Sequence, residues 1–201
     1  MSREIKNIIF DLGNTLVFFD HNLFYSGIAS HEKRFSTKEF QSYILENSLM
    51  DMIALGKLSG EDFYAGLKKK FDFSISYESF LKYYCGIFWE NKPMTSLLHV
   101  LFKEKHYNLI LLSNTDRYHI DYVMKEFPYL DEFKQRIFSF EAGYLKPSDS
   151  IFETLFRKYN IVPSETLYVD DMEDNINAGK KLGLQTHLYL KQSDLLARLE
   201  L

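Results

Sequence analysis

Cysteine is nearly absent: Cys85 is the only one in 201 residues. An intrachain disulfide is therefore excluded, and the chain suits a reducing compartment. The neighbours Tyr83, Tyr84, Ile87 and Phe88 mark Cys85 as a packing residue rather than a nucleophile. Positive charge is also scarce, with 24 Lys and Arg against 28 Asp and Glu and a formal net charge of −4. That balance argues against a nucleic-acid partner, which calls for a basic footprint. It also means that an anionic ligand must be met by local positive charge, from a placed lysine or a metal. No apolar run approaches membrane-spanning length, so no membrane partner is expected. Charged residues 1–7 are followed by only three apolar residues before Asp11, far short of a secretory signal, and the expected location is the cytoplasm. Internal repeats and low-complexity tracts are lacking too.

What is present is a large apolar complement. Hydrophobic residues make up 46% of the chain and charged residues 26%, with 18 Phe and 14 Tyr. This is enough for one ordinary domain, or for a core domain carrying a modest insertion.

Four short apolar runs, at residues 5–10, 108–112, 166–169 and 186–190, read as buried strands. Helical patterns, for example at 151–159 and 176–182, lie between them, and Gly183 stands where a helix C-terminus needs it. Strand alternating with helix predicts an α/β fold, a Rossmann-like doubly wound parallel sheet. Ligands of such sheets bind beyond the carboxyl ends of the strands. Residues 18–88 break the rhythm. They show no strand, only amphipathic helical stretches such as 37–47 and 60–71, with Ser36 and Ser59 as N-caps. This reads as a small helical cap inserted after the first strand, giving a core of residues 1–17 and 90–201 and a cap of 18–89. Lys68 to Lys70 read as a solvated helix face.

Chemistry-bearing residues cluster at the strand ends. Asp11 closes the first strand and is followed by Leu12-Gly13-Asn14-Thr15. A carboxylate there attacks phosphorus, binds a cation, or merely caps a turn. Ser113 and Asn114 end the second run, either as a neutral phosphate cradle or as ordinary turn residues. Lys146 precedes Pro147, which stiffens the chain behind an ammonium that points inward or into solvent. Asp170, Asp171, Asp174 and Asn175 form an acidic group after the third run. Oxygen donors of this kind suit Mg²⁺, and they also suit a helix N-terminus. The four-residue spacing predicts Asp171 and Asn175 on one helix face.

Together, in this order, the four segments resemble the four motifs of the haloacid-dehalogenase-like superfamily, across residues 5–187. Within it, Asp-Leu-Gly-Asn and Tyr-Val-Asp-Asp are most similar to bacterial glucose-1-phosphate-type phosphatases; the phosphatase domain of epoxide hydrolases is a further relative. The resemblance implies a Mg²⁺-dependent phosphatase acting on a small phosphorylated metabolite, with Asp11 as nucleophile. It implies phosphate contacts from Ser113, Asn114 and Lys146, and Mg²⁺ held by Asp11, the Gly13 carbonyl and Asp171, with Asp170 and Asn175 beside it. Oligomeric state stays open between monomer and homodimer.

One position departs from the family pattern. Where a second aspartate ordinarily serves as general acid and base, this chain has Gly13. Such assistance is worth roughly 10²–10⁴-fold, so an impaired phosphate- and metal-binding regulatory protein is one alternative. The same glycine occurs in the glucose-1-phosphate-type relatives, which favours an active subgroup. A metal-free haloacid dehalogenase is a second alternative. The Asp170-Asp171 pair opposes it, because adjacent carboxylates near the nucleophile repel without a cation. Gly13 itself predicts either a positive φ or a close approach by a neighbour.

Overall fold

The computed structural model describes residues 4–104 and 106–200, so residues 1–3, 105 and 201 of the expected core lie outside the described residues. The chain opens with β1 (Asn7–Phe10) and β2 (Val17–Phe19). Five helices follow: α1 (His21–His31), α2 (Thr37–Glu46), α3 (Leu49–Ala54), α4 (Gly60–Phe71) and α5 (Tyr77–Cys85). Next come β3 (Phe88–Glu90), α6 (Lys92–Glu104), β4 (Asn108–Ser113), α7 (Arg117–Glu126), β5 (Gln135–Phe138) and α8 (Ser139–Ala142). The remainder is α9 (Asp149–Tyr159), β6 (Thr166–Asp170), α10 (Glu173–Lys181), β7 (Gln185–Leu188) and α11 (Gln192–Leu199).

Five strands form one parallel sheet in the order β5-β4-β1-β6-β7. The three central strands are buried on both faces, which is why they read as unbroken apolar runs. Side chains alternate across the pleat. Ile8, Phe10, Leu111 and Val169 pack with α6, α7 and α11 on one face. Ile9, Ile110, Leu112 and Tyr168 pack with α9 on the other. Phe10 lies opposite both Leu111 and Val169, so the residues that follow these three strands emerge at one edge.

The structure adds three strands to the four in the apolar pattern. β5 is an edge strand in which only Ile137 and Phe138 are buried, so it lacks a recognisable run. β2 and β3 pair as a separate antiparallel ribbon, Phe18 opposite Trp89 and Phe19 opposite Phe88. Residues 18–88 therefore do carry strand, at their two ends. Three residues are too few to display alternation, so the ribbon is invisible in the sequence. By pairing, it brings the entry to and exit from the helical segment together.

Helices α1 to α5 share an aromatic core. Phe24 sits at its centre, with the rings of Phe40, Phe63, Phe80 and Tyr84 at 5.2–6.3 Å. Contacts of this kind add about 0.5–1.5 kcal/mol each beyond burial. Ser36 and Ser59 cap α2 and α4, Ser36 in a full capping box with Glu39. Gly183 has φ +86 just after α10, a conformation that disfavours any side chain. Cys85 is buried, as its neighbours imply.

Glu32 is a buried carboxylate at the end of α1. It accepts from Ser74 N, Ser74 Oγ and Ile75 N, tying α1 to the segment before α5. Burial pushes its pKa up, but these donors outweigh that and hold it below the usual carboxylate value. A lowered folded value contributes stability above the usual range, and that contribution is lost as pH falls through the folded value. Glu32→Gln is therefore expected to lower Tm at pH 7 and to flatten the loss of Tm under acid, as followed by thermal melts from pH 7 to 3.

Candidate active site

Asp11 follows the central strand directly and is 6% exposed. Its amide donates to the Val169 carbonyl at 2.9 Å, continuing the sheet by one bond and fixing where its side chain begins. The Lys146 ammonium reaches it from the loop before α9. Lys146 Nζ donates to Asp11 Oδ1 at 2.5 Å, to Asp170 Oδ2 at 2.8 Å and to the Leu112 carbonyl at 3.2 Å. Asn114 holds that lysine from its backbone, accepting from Lys146 N at 2.7 Å and donating to its carbonyl at 2.9 Å. The Asn114 amide is thus spent on positioning Lys146.

The two adjacent aspartates differ sharply. Asp170 is fully buried and accepts from Lys146, the Tyr168 hydroxyl, Met172 N and Asn175 Nδ2. Asp171 is only half-buried and borders the same cavity as Asp11, Gly13 and Lys146, about 120 Å³ in volume. The expectation that Asn175 stacks beneath Asp171 fails. α10 begins at Glu173, so Asp171 precedes the helix and Asn175 turns to Asp170 instead. Glu173 and Asp174 are exposed in the first turn of α10, where they complement the helix dipole.

Charge in this site is unbalanced: Asp11, Asp170 and Asp171 face one ammonium. Asp11 is raised to about 7: burial pushes it up, Lys146 draws it down, and Asp170 and Asp171 push it up. Burial works against the Lys146 charge, yet Asp11 and Asp170 hold the ammonium protonated. Asp170 would be raised by burial but is lowered by Lys146. Asp171 is raised, first by burial and then by Asp170. A surplus of negative charge beside carboxylate and main-chain oxygens fits a hard divalent cation that keeps several waters, as Mg²⁺ does. Among the described residues no three His, Cys, Asp or Glu side chains converge on one point; such a cation needs only one or two carboxylates.

Gly13 is required by crowding. A Cβ there would stand 2.5 Å from Phe19 Cε1 and 3.0 Å from Cδ1. Of the two causes considered, close approach holds, while the positive φ belongs to the next residue, Asn14, at 53°. The Phe19 ring is itself packed by His21 at 5.0 Å and Phe88 at 5.9 Å. Gly13→Asp is therefore expected to lower kcat/KM at least tenfold and to lower Tm. The added atoms overpack a filled site at about 1–3 kcal/mol, and the new carboxylate joins three others. A faster, equally stable variant would show that the glycine is a defect.

Ser113 ends β4 and is buried, opening on a second, smaller cavity with Thr115, His21 and His119. Beneath it lies a polar cluster that sequence patterns do not single out. Asp116, the N-cap of α7, accepts from the Tyr84 hydroxyl at 2.7 Å and from His119 Nδ1 at 2.8 Å. His119 Nε2 faces the Tyr84 carbonyl at 3.0 Å. The available signal was Asp116 followed three residues later by histidine, immediately beyond Ser113-Asn114-Thr115. A wider depression of about 620 Å³ lies along the β5 edge near Arg136 and Tyr159 and contains none of these groups.

Residues 5–183 match the model of a family described as hydrolase, haloacid dehalogenase-like hydrolase. The chain is 31% identical over 193 residues to a D-ribitol-5-phosphate phosphatase of Bacteroides thetaiotaomicron, covering 90% of each protein. It superimposes with a TM-score of 0.87 on a HAD family enzyme of Bacteroides thetaiotaomicron, at 25% identity over 98% of this chain and 99% of that one. The same enzyme in complex with magnesium and inorganic phosphate gives 0.81, at 26% identity over 95% and 98%.

Proposed function

The chain belongs to the haloacid dehalogenase-like hydrolases, and from that premise we propose that it hydrolyses small phosphomonoesters, sugar and polyol phosphates among them, through a phosphoryl group carried on Asp11. The observation that carries this reading is the buried Asp11–Lys146 pair at the end of the central strand, in one cavity with Asp171. The similar phosphatase and the similar enzyme complexed with magnesium and inorganic phosphate support the same reading.

Asp11 Oδ1 is bonded to Lys146, and its second oxygen attacks phosphorus in line. The bond from phosphorus to the leaving oxygen breaks as the acyl-phosphate forms, and that oxygen, with no side-chain acid at Gly13, takes up a proton from water. Water then attacks phosphorus, releasing phosphate and restoring the Asp11 carboxylate. Lys146 and Ser113 meet the phosphoryl oxygens, and Asn114 keeps the lysine in place. The carboxylates of Asp11 and Asp171, with the Gly13 carbonyl, would hold Mg²⁺. When bound, it neutralises charge and aligns the phosphoryl group. Asp170 holds Lys146, and Asn175 holds Asp170, so both stand behind the ligands. Residues 18–89 act as a helical cap that excludes bulk water from the core of residues 1–17 and 90–201.

The test is phosphate release from a panel of sugar and polyol phosphates with and without Mg²⁺. It is coupled to borohydride trapping of the phosphoryl group and peptide mass spectrometry. Release from at least one substrate, with the modification on Asp11, is expected. Absence of release from all of them would favour a regulatory protein that binds phosphate without turning it over. Modification of another residue would move the nucleophile.

A further inference from the structure

The smaller cavity beside the phosphate site holds about 50 Å³. It shares Gly13, Phe19 and Asn114 with the cavity that contains Asp11, so the two adjoin across those residues. A phosphomonoester whose phosphorus faces Asp11, before the ester bond breaks, would place its alcohol portion here. The volume admits a group of one or two water-sized units, a hydroxylated chain end and not a ring.

Most polar groups on its wall are already engaged. Both His119 ring nitrogens lie against partners, Nδ1 against Asp116 Oδ2 at 2.8 Å and Nε2 against the Tyr84 carbonyl at 3.0 Å. The Asn114 amide is spent on Lys146, and the Thr115 amide donates to Ser139 Oγ. His21 is different. It is the first residue of α1, its ring fixed edge-on against Phe19 at 5.0 Å and set 6.1 Å from His119. Its Nδ1 is buried and has no hydrogen-bond partner among the described residues. A buried polar atom left unpaired costs more than a satisfied one gains. Here the unpaired atom belongs to a ring bordering a chamber whose apolar walls are Leu12, Phe19 and Phe88.

We propose that His21 is the specificity-determining contact for the leaving group, its imidazole hydrogen-bonding a hydroxyl of an unbranched polyol phosphate. This rests on the phosphomonoesterase reading of the Asp11 site. A neutral imidazole offers one donor and one acceptor, which a hydroxyl matches in either sense. Burial, with the His119 ring beside it, pushes His21 down to about 4, so the ring is neutral at pH 7. An alkyl leaving group offers the imidazole no such partner, and the site discriminates against it for that reason.

The experiment compares linear polyol monophosphates of three to six carbons with alkyl phosphates of equal chain length, using wild type, His21→Leu and His21→Gln. Wild type is expected to favour the polyol at least tenfold in kcat/KM. His21→Leu should lose about 10- to 100-fold on the polyol while staying within about twofold on the alkyl phosphate. His21→Gln, which keeps a donor and an acceptor, should recover part of the loss. Tm of His21→Leu should equal or exceed that of wild type, because the atom removed has no partner in the fold. Equal losses on both substrates, or none on the polyol, would overturn the inference and leave the phosphatase reading standing. So would a wild type indifferent to the hydroxyls. A wild type that hydrolyses neither class would overturn both.

Discussion

Asp11→Asn is expected to reduce phosphomonoester hydrolysis by roughly 10⁴-fold or more, since an amide cannot take the phosphoryl group. The same substitution tests the energetics of the site. Asp11 is one of three carboxylates facing the Lys146 ammonium, and burial holds its pKa up at about 7. A raised folded value means a stabilising contribution that is present below the usual value of 3.8 and lost as pH rises through about 7. Ionised Asp11 therefore burdens the fold at and above neutral pH. The asparagine variant should melt at the same temperature as wild type or higher, with the gap widening toward pH 8 in metal-free buffer. Lys146 keeps Asp170 and the Leu112 carbonyl as partners in that variant. A Tm several degrees below wild type would show that the Asp11–Lys146 pair holds the fold together, contrary to this account.

Removal of divalent metal should abolish hydrolysis, and Asp171→Asn should raise the Mg²⁺ concentration needed for half-maximal rate at least tenfold. The reason is the surplus of negative charge, which among the described residues lining the cavity only Lys146 offsets. A ligand that binds only the folded state also raises Tm. Mg²⁺ should therefore stabilise wild type measurably and the Asp171→Asn protein less, a readout independent of turnover. Full activity in excess chelator after exhaustive metal removal would refute the magnesium requirement.

Strands β1, β4 and β6 were legible in the sequence because burial on both faces forces continuous apolar runs, each ending in polar residues at the sheet's edge. β5 was not: Gln135 and Arg136 are half exposed, so half of the strand looks like loop. Ribbon β2–β3 was too short to betray itself. In the candidate site, residue type and position alone do not separate Asp170 from Asp171, and it is the family resemblance that makes Asp171 the expected metal ligand. The fold gives the physical reason, one being surrounded by four donors and the other facing the cavity. Lys146 is likewise a single lysine before a proline, 135 residues from the aspartate it contacts. Its burial is a product of strand order and has no local signature. His21 illustrates a further limit, because nothing in one histidine after an aspartate tells that its Nδ1 lacks a partner.

The solitary, buried Cys85 has a practical consequence. Burial raises its thiol to about 12, with Asp116 and Asp121 adding to the effect, so almost none of it is thiolate at neutral pH and maleimide-type reagents find little to attack. Cysteines introduced at exposed positions such as Leu45 on α2 and Val162 before β6 can then carry a fluorescent donor and acceptor without first removing the native thiol. The distance between the helical segment and the sheet becomes measurable by energy transfer in the otherwise unaltered protein during turnover.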